Sequence, residues 1–361
     1  MDVDERLNLI KEVGEEIITE KDLVELLKEK QKFIAYDGFE PSGTDVHIAQ
    51  GLLRAININK MTSAGAYFKM LVADWHAWAN NKMEGDLEKI KKVGMYFIEV
   101  WKACGLETEN VEFVWASDLL NSKEYWKTVM RIARNSTLNR IIRCGQIMGR
   151  EEQEVMQASQ ILYPCMQCAD IFHLKADLTQ LGKDQRKVNM LAREIGEKIG
   201  FWKPVVVSHH MLMGLNQPPQ DYTEEDKTER TIALKMSKSK PDSAIFMTDS
   251  EQDILRKMKK AWCPEGIREE NPVLEYYRYI IFEKYDKVEI KRPEKWGGNL
   301  TFNSYKDLEE CFSKKEVHPL DLKKTAAEYI NEMINPIRDK ILNDSKIKDL
   351  RDTIRKYRVT R

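Results

Sequence analysis

Two lysines and two serine hydroxyls fall within five residues at Lys235-Met236-Ser237-Lys238-Ser239, just after a polar, proline-containing stretch at 216–230. Such a loop can close on a polyphosphate. Its ammonium groups would neutralise charge developing on departing pyrophosphate, and hydroxyls and loop amides would add hydrogen bonds. Far upstream, Val46-His47-Ile48-Ala49-Gln50-Gly51 follows the turn-rich Pro41-Ser42-Gly43 and opens a helix. A histidine at a helix N-terminus can donate to phosphate oxygens, where the backbone amides favour the same charge. A third string, Gln180-Leu181-Gly182-Lys183-Asp184-Gln185-Arg186-Lys187, follows a strand and opens a helix, where ligands of parallel sheets bind. Tyr163, Gln167 and Asp170 recur at i, i+4 and i+7, which sets three polar groups on one face of an otherwise apolar helix. Each string alone also has a plainer reading: a solvated loop, a cap histidine, a strand-to-helix cap, an amphipathic helix. Their joint occurrence points to one site.

The elements around these strings alternate. Residues 4–30 read as two helices split near Thr19, and 33–36 as a short buried strand. A helix is expected from about 46 to 63, a strand over 67–74, a helix over 86–104 and a strand over 111–115. Residues 122–160 read as a helical insertion rich in Arg, Asn and Gln. Helix 161–175, strand 176–180, helix 185–200 and a last strand at 205–207 follow. The alternation predicts a parallel sheet with helices on both faces. After Phe246 the pattern gives helices without clear strands. The expected division is a catalytic domain over 1–245, with its insertion at about 120–160, and a smaller helical domain over 246–361.

Composition limits the classes. The 361 residues are 42% hydrophobic, enough for two packed domains. Charged residues make up 32%, yet the net charge is −1, so any nucleic-acid contact must use local basic patches. Arg131, Arg134, Arg140 and Arg143, near helical spacing, are one candidate for meeting a nucleic-acid stem. The tail from 338 to 361 is another: it either follows an RNA backbone or forms a solvated helix face. No run approaches the roughly 18 apolar residues of a membrane span. Six scattered cysteines suit free thiols and the cytosol. The single C-x-x-C at Cys165 and Cys168 has no second pair, so packing is expected there rather than zinc. His209-His210 is open between a metal and a nucleotide contact, and Trp75 and Trp78 are expected in the core.

Residues 235–239 resemble, residue for residue, the Lys-Met-Ser-Lys-Ser signature of class I aminoacyl-tRNA synthetases. His47 to Gln50 resembles a degenerate His-Ile-Gly-His, with Ala49 in place of Gly and Gln50 in place of the second His. Three further segments look like the archaeal and eukaryotic tyrosyl-tRNA synthetase type. They are Ala35-Tyr36-Asp37-Gly38-Phe39-Glu40-Pro41-Ser42-Gly43, Leu162-Tyr163-Pro164-Cys165-Met166-Gln167-Cys168-Ala169-Asp170, and Asp184-Gln185-Arg186-Lys187 with Met190-Leu191-Ala192-Arg193-Glu194. The resemblance runs from about residue 17 to 340. It implies an α/β fold: a Rossmann-like parallel-sheet catalytic domain with a helical insertion, and a mainly α-helical C-terminal anticodon-binding domain. It also implies a tyrosine–tRNA ligase that makes tyrosyl-adenylate and pyrophosphate from ATP and then charges tRNA(Tyr).

The roles implied by resemblance are as follows. His47, Lys235 and Lys238 are catalytic, at the phosphates. ATP is held by His47, Gln50, Gly182, Asp184, Met236, Ser237, Lys238 and Ser239. Tyr36 and Asp170 contact the tyrosine phenol, and Tyr163, Gln167 and Gln185 hold its α-amino group. His76 lines the pocket, either under the ring or as a satisfied core histidine. Trp296 stacks on an anticodon base and Asp321 hydrogen-bonds to it; their plainer readings are a buried Trp and a helix-cap Asp. Mg²⁺ would arrive with ATP, with no metal site in the protein. A homodimer through the insertion is implied as well. The alternatives are a tryptophanyl-tRNA synthetase, which shares both motifs, and a non-catalytic synthetase-like RNA-binding protein.

Overall fold

The computed structural model describes residues 1–145, 157–219, 230, 234, 236 and 241–359. Six strands form one sheet: β1 (Gly14–Ile18), β2 (Phe33–Phe39), β3 (Ala66–Val72), β4 (Val111–Trp115), β5 (Leu178–Gly182) and β6 (Val205–His209). Their spatial order is β1-β6-β5-β2-β3-β4. All neighbours pair parallel except β1, which runs antiparallel to β6. From β2 the chain winds outward to β3 and β4, then returns to build β5 and β6 on the other side of β2. The β2–β5 boundary is therefore a switch point, where the connections leave in opposite directions and open a crevice at the carboxyl ends.

Side-chain alternation divides the interior in two. Phe33, Ala35, Phe68, Met70, Leu178, Val205 and Val207 belong to one cluster, shared with helices Val3–Val13, Arg54–Ser63 and Leu87–Ala103. Tyr36, Leu71 and Leu181 belong to the other, under helices Lys123–Arg134, Ala158–His173 and Arg186–Ile195. Every residue of β5 is buried, as expected of a central strand covered on both faces.

Strand β1 departs from the sequence reading, which placed only helices over 4–30. Glu15 and Glu16 favour helix locally, but pairing with β6 overrides that preference. Gly14 permits the approach, since a Cβ there would meet Val207 Cγ1 at 2.9 Å. Both glutamates then find partners across the fold: Glu15 with Lys183 at 3.0 Å and Glu16 with Arg186 at 2.8 Å. The edge strand thus grips the segment that follows β5.

C-terminal to the sheet come helices Glu251–Lys260, Pro272–Tyr276, Tyr305–Ser313, Pro319–Asn343 and Ser345–Ile354. A two-stranded antiparallel ribbon, β7 (Val288–Ile290) and β8 (Leu300–Phe302), interrupts them. At three residues each, these strands are too short to show an alternating pattern, and the sequence reading gave no strand here. Ile330, Ile334 and Ile347 belong to the same apolar cluster as Phe68, so this core is continuous with one face of the sheet. Trp78, expected in the core, is 43% exposed, with its edge against the partly buried Trp75.

Candidate active site

A cavity of about 520 Å³ opens at the carboxyl ends of β2 and β5, at the switch point. Tyr36, Tyr163, Gln167, Asp170, His76, Gln185, His47, Gln50, Gly182, Asp184 and Met236 all line it. The structure therefore brings together, from six separate stretches of chain, most of the residues singled out in the sequence. Lys235, Ser237, Lys238 and Ser239 lie outside the described residues. Met236 is 6% exposed, with Tyr276 Oη 4.0 Å from its Sδ.

On the Tyr36 face of the sheet, the Ala158–His173 helix presents Tyr163, Gln167 and Asp170 along one side, as its spacing requires. Asp170 is fully buried. Its Oδ1 accepts from the Tyr125 hydroxyl at 2.7 Å. Its Oδ2 lies 2.9 Å from His76 Nε2, but off the line of a hydrogen bond, so this oxygen keeps no directional partner among the described residues. Burial opposes charging of His76, yet the neighbouring Asp170 carboxylate outweighs it and raises the imidazole pKa. His76 stands edge-on to the Tyr163 ring at 5.0 Å, so it is a pocket wall tied to the carboxylate. Burial, and then Asp170 and Asp37, push the Tyr36 phenol well above its usual range, so it stays a neutral donor. Gln167 Nε2 donates to Gln185 Oε1 at 3.0 Å, which joins this helix to the segment after β5.

The opposite face of the sheet carries the second half of the cavity. His47 begins a wide helical turn, Ala49–Leu53, in which Leu53 N reaches back to Ile48 O at 3.1 Å. Ile48 N donates to Ile245 O at 2.8 Å and Met247 N to Val46 O at 2.9 Å, so this turn is pinned to the segment around Ile245–Met247. Gln50 N approaches His47 Nδ1 at 3.4 Å. The Gln50 side-chain oxygen is buried without a hydrogen-bond partner among the described residues. At Gly182 a Cβ would sit 2.7 Å from Asp184 Oδ1, so glycine is what lets that carboxylate fold over the strand end.

Behind and along the cavity wall stand residues to which the sequence reading gave no role, and the His209-His210 pair, which it left open. Tyr125 comes from the helical insertion, and nothing local marks it as the donor to Asp170. Asp37 and Arg54 form a charge pair at 3.1 Å. Gln180 Nε2 donates to His209 Nδ1 at 2.6 Å, and burial, helped by positive Arg54 and His210, holds His209 neutral with a pKa of about 3. His210 is the reverse case. Burial would lower its pKa, but the Glu15 and Glu275 carboxylates, at 3.3 and 3.0 Å, outweigh burial and carry it to about 9. Its ring stacks on Tyr279 at 4.2 Å, so a charged histidine bridges the edge strand to the C-terminal helices. Cys165 and Cys168 are buried free thiols.

Trp296 and Asp321 lie on the C-terminal unit. Trp296 is 66% exposed at the end of the Glu294–Trp296 turn, which rules out the reading as a buried Trp. Asp321 sits in the first turn of the Pro319–Asn343 helix, whose cap is His318. The turn is anchored to that helix by Lys291 N donating to Thr325 Oγ1 at 3.3 Å and by the Lys291–Glu328 pair at 2.8 Å. Arg140, from the arginine series of the insertion, is taken up by Glu194 at 2.9 Å.

A family model described as tRNA synthetases class I (W and Y) matches residues 28–335. The chain is 50% identical over 363 residues to the cytoplasmic tyrosine–tRNA ligase 1 of Arabidopsis thaliana, across 100% of this chain and 90% of that protein. It is 41% identical to a tyrosine–tRNA ligase of Saccharolobus islandicus, across 99% of both. The crystal structure of a tyrosyl-tRNA synthetase complexed with L-tyrosine from Pyrococcus horikoshii matches with a TM-score of 0.90 at 36% identity, over 98% of this chain and 100% of that one.

Proposed function

The chain belongs to the class I tRNA synthetases of the tryptophan and tyrosine group, and from that membership we infer that it activates tyrosine with ATP and transfers the tyrosyl group to tRNA(Tyr). The observation that carries the choice of amino acid is Asp170 Oδ2, a fully buried carboxylate oxygen in the cavity without a hydrogen-bond partner among the described residues. A phenol satisfies it. Phenylalanine offers it no donor and leaves it only the His76 contact at 2.9 Å, at a cost that hydrocarbon contact does not recover. An indole N–H could donate to Asp170 but, unlike a hydroxyl, cannot also accept from Tyr36, which disfavours the tryptophanyl reading. A non-catalytic relative would have no need of this acceptor or of Lys235 and Lys238.

In this reading Tyr163, Gln167 and Gln185 hold the α-amino group and so aim the substrate carboxylate. That carboxylate is already a nucleophile, so activation needs no general base. It attacks the α-phosphorus, the bond to the bridging oxygen breaks, and pyrophosphate leaves. Catalysis is then positioning and charge stabilisation. His47, Lys235 and Lys238 take the phosphates. Gln50, Met236, Ser237 and Ser239 complete the nucleotide contacts, and Asp184 accepts from the ribose beside Gly182. Mg²⁺ enters on the ATP. Such an ion needs few protein ligands, because phosphate oxygens and water hold it. Trp296 and Asp321 read the anticodon, two copies of the chain pair through the insertion, and the cytosol is the site of action.

Amino-acid-dependent ATP–pyrophosphate exchange tests the reading. Exchange with tyrosine, and none with tryptophan or phenylalanine, is expected. Exchange with tryptophan would overturn the pocket assignment. Silence with all three in a folded, Mg²⁺-supplied protein would leave the RNA-binding reading.

A further inference from the structure

Among the described residues that line the cavity, one guanidinium has no place in the roles above. Arg54 follows His47, Gln50 and precedes Asn57 along a single face of the helical segment, and all four line the cavity. Its Nε lies 3.1 Å from Asp37 Oδ2, and its face rests over the Trp101 ring at 5.4 Å. Its hydrogen bond among the described residues is a long one, Nη2 to Gly38 O at 3.5 Å. Asp37 is similarly under-used. Its Oδ1 accepts from Gly38 N at 2.7 Å, while Oδ2 is buried and meets no donor in hydrogen-bond geometry. The side chains are 16% and 1% exposed, so the carboxylate is shut off from water and the guanidinium is only partly open to it.

A guanidinium has five N–H donors, and buried polar groups in folded proteins are as a rule hydrogen-bonded. A desolvated pair that leaves donors and an acceptor unspent is costly unless something else satisfies it. Spare capacity on both members, at the wall of a ligand cavity, points to the ligand. The pair lies on the same face of the sheet as Gln180 and His209, the half of the cavity assigned above to the nucleotide. Neutral His209 offers no competing charge there, and planar guanidinium donors suit ribose and phosphate oxygens.

We propose that Arg54, oriented by Asp37, is a further ATP-binding group that donates to an oxygen of the nucleotide's ribose–phosphate. The proposal rests on the reading of the cavity as an ATP and tyrosine site. It leaves the tyrosine half untouched: Tyr36 and Asp37 are neighbours in β2 but project from opposite faces.

The test is ATP–pyrophosphate exchange by Arg54→Lys and Arg54→Ala, with KM for ATP and for tyrosine measured separately. Lysine keeps the charge and loses the planar fork. The expected result is a KM for ATP raised about tenfold or more in both variants, with KM for tyrosine within about twofold of the parent. Competition by adenosine and by AMP places the contact. A loss for AMP alone assigns it to phosphate, and an equal loss for both assigns it to ribose. An unchanged KM for ATP in a lysine variant that melts like the parent overturns the proposal. So does a parallel rise in both KM values, which is what a strut between β2 and the helix would give. Tyrosine-dependent exchange by the unmodified protein is the control: its absence sinks the functional reading, whereas its presence with insensitive variants sinks only the role of Arg54.

Discussion

Asp170→Asn is the most direct probe of how the cavity selects its amino acid. The carboxylate is fully buried, and Tyr125 holds Oδ1 at 2.7 Å. In the variant that hydroxyl keeps the remaining carbonyl oxygen on its own side, so the amide nitrogen takes the place of Oδ2. A substrate phenol then loses its charged acceptor. A hydrogen bond to a charged group is worth about 1.5–3 kcal/mol, which converts to roughly 10–150-fold in kcat/KM for tyrosine. Phenylalanine pays no such loss and gains slightly, because an orphaned amide is less costly than an orphaned carboxylate. The ratio of tyrosine to phenylalanine should therefore narrow by at least about tenfold. The assay is pyrophosphate exchange with each amino acid, beside a thermal melt to establish that the variant is folded. An unchanged ratio in a folded protein would falsify the assignment of Asp170 to the phenol.

Tyr125→Phe removes the donor to Oδ1 without touching the ligand, so stability should fall by about 1–3 kcal/mol. A denaturant midpoint equal to the parent's would show that this contact contributes nothing. Trp296→Ala deletes an indole that is 66% exposed. Stacking on an unpaired base contributes about 1–3 kcal/mol, so tRNA charging should weaken roughly 5- to 150-fold while pyrophosphate exchange holds; equal losses in both steps would remove Trp296 from RNA recognition. His210 supplies a pH dependence. Its folded pKa of about 9 lies above the 6.5 of an ordinary histidine, so the folded state binds the extra proton. The stability this confers is fully present below about pH 6.5 and is lost as pH rises through about 9, up to roughly 3 kcal/mol in all. His210→Ala should flatten that slope in denaturant titrations; a slope unchanged from pH 6.5 to 9.5 would mean that the Glu15–His210–Glu275 bridge does not couple to folding.

The sequence by itself determined the reaction class and most of the pocket. Lys235 to Ser239, His47 and the Tyr163–Gln167–Asp170 spacing carry chemistry in their types and intervals, because a loop of lysines or one face of a helix is a local property. Strands β3 to β6 were legible for the same reason, as short apolar runs between turn residues. What only the tertiary structure decided depends on partners far away in the chain. Glu15 and Glu16 read as helix until β6 and the segment after β5 supply their pairing and their counter-charges. Strands β7 and β8 are too short for any periodicity to appear. Trp78 is apolar by type and yet exposed, because burial is settled by neighbours and not by hydrophobicity. Tyr125, Asp37 and Arg54 look ordinary in sequence. They become part of a site because the fold sets a hydroxyl on a buried carboxylate 45 residues away and buries a charge pair at a cavity wall, where ionic and hydrogen-bonding energies depend on surroundings that no local pattern encodes.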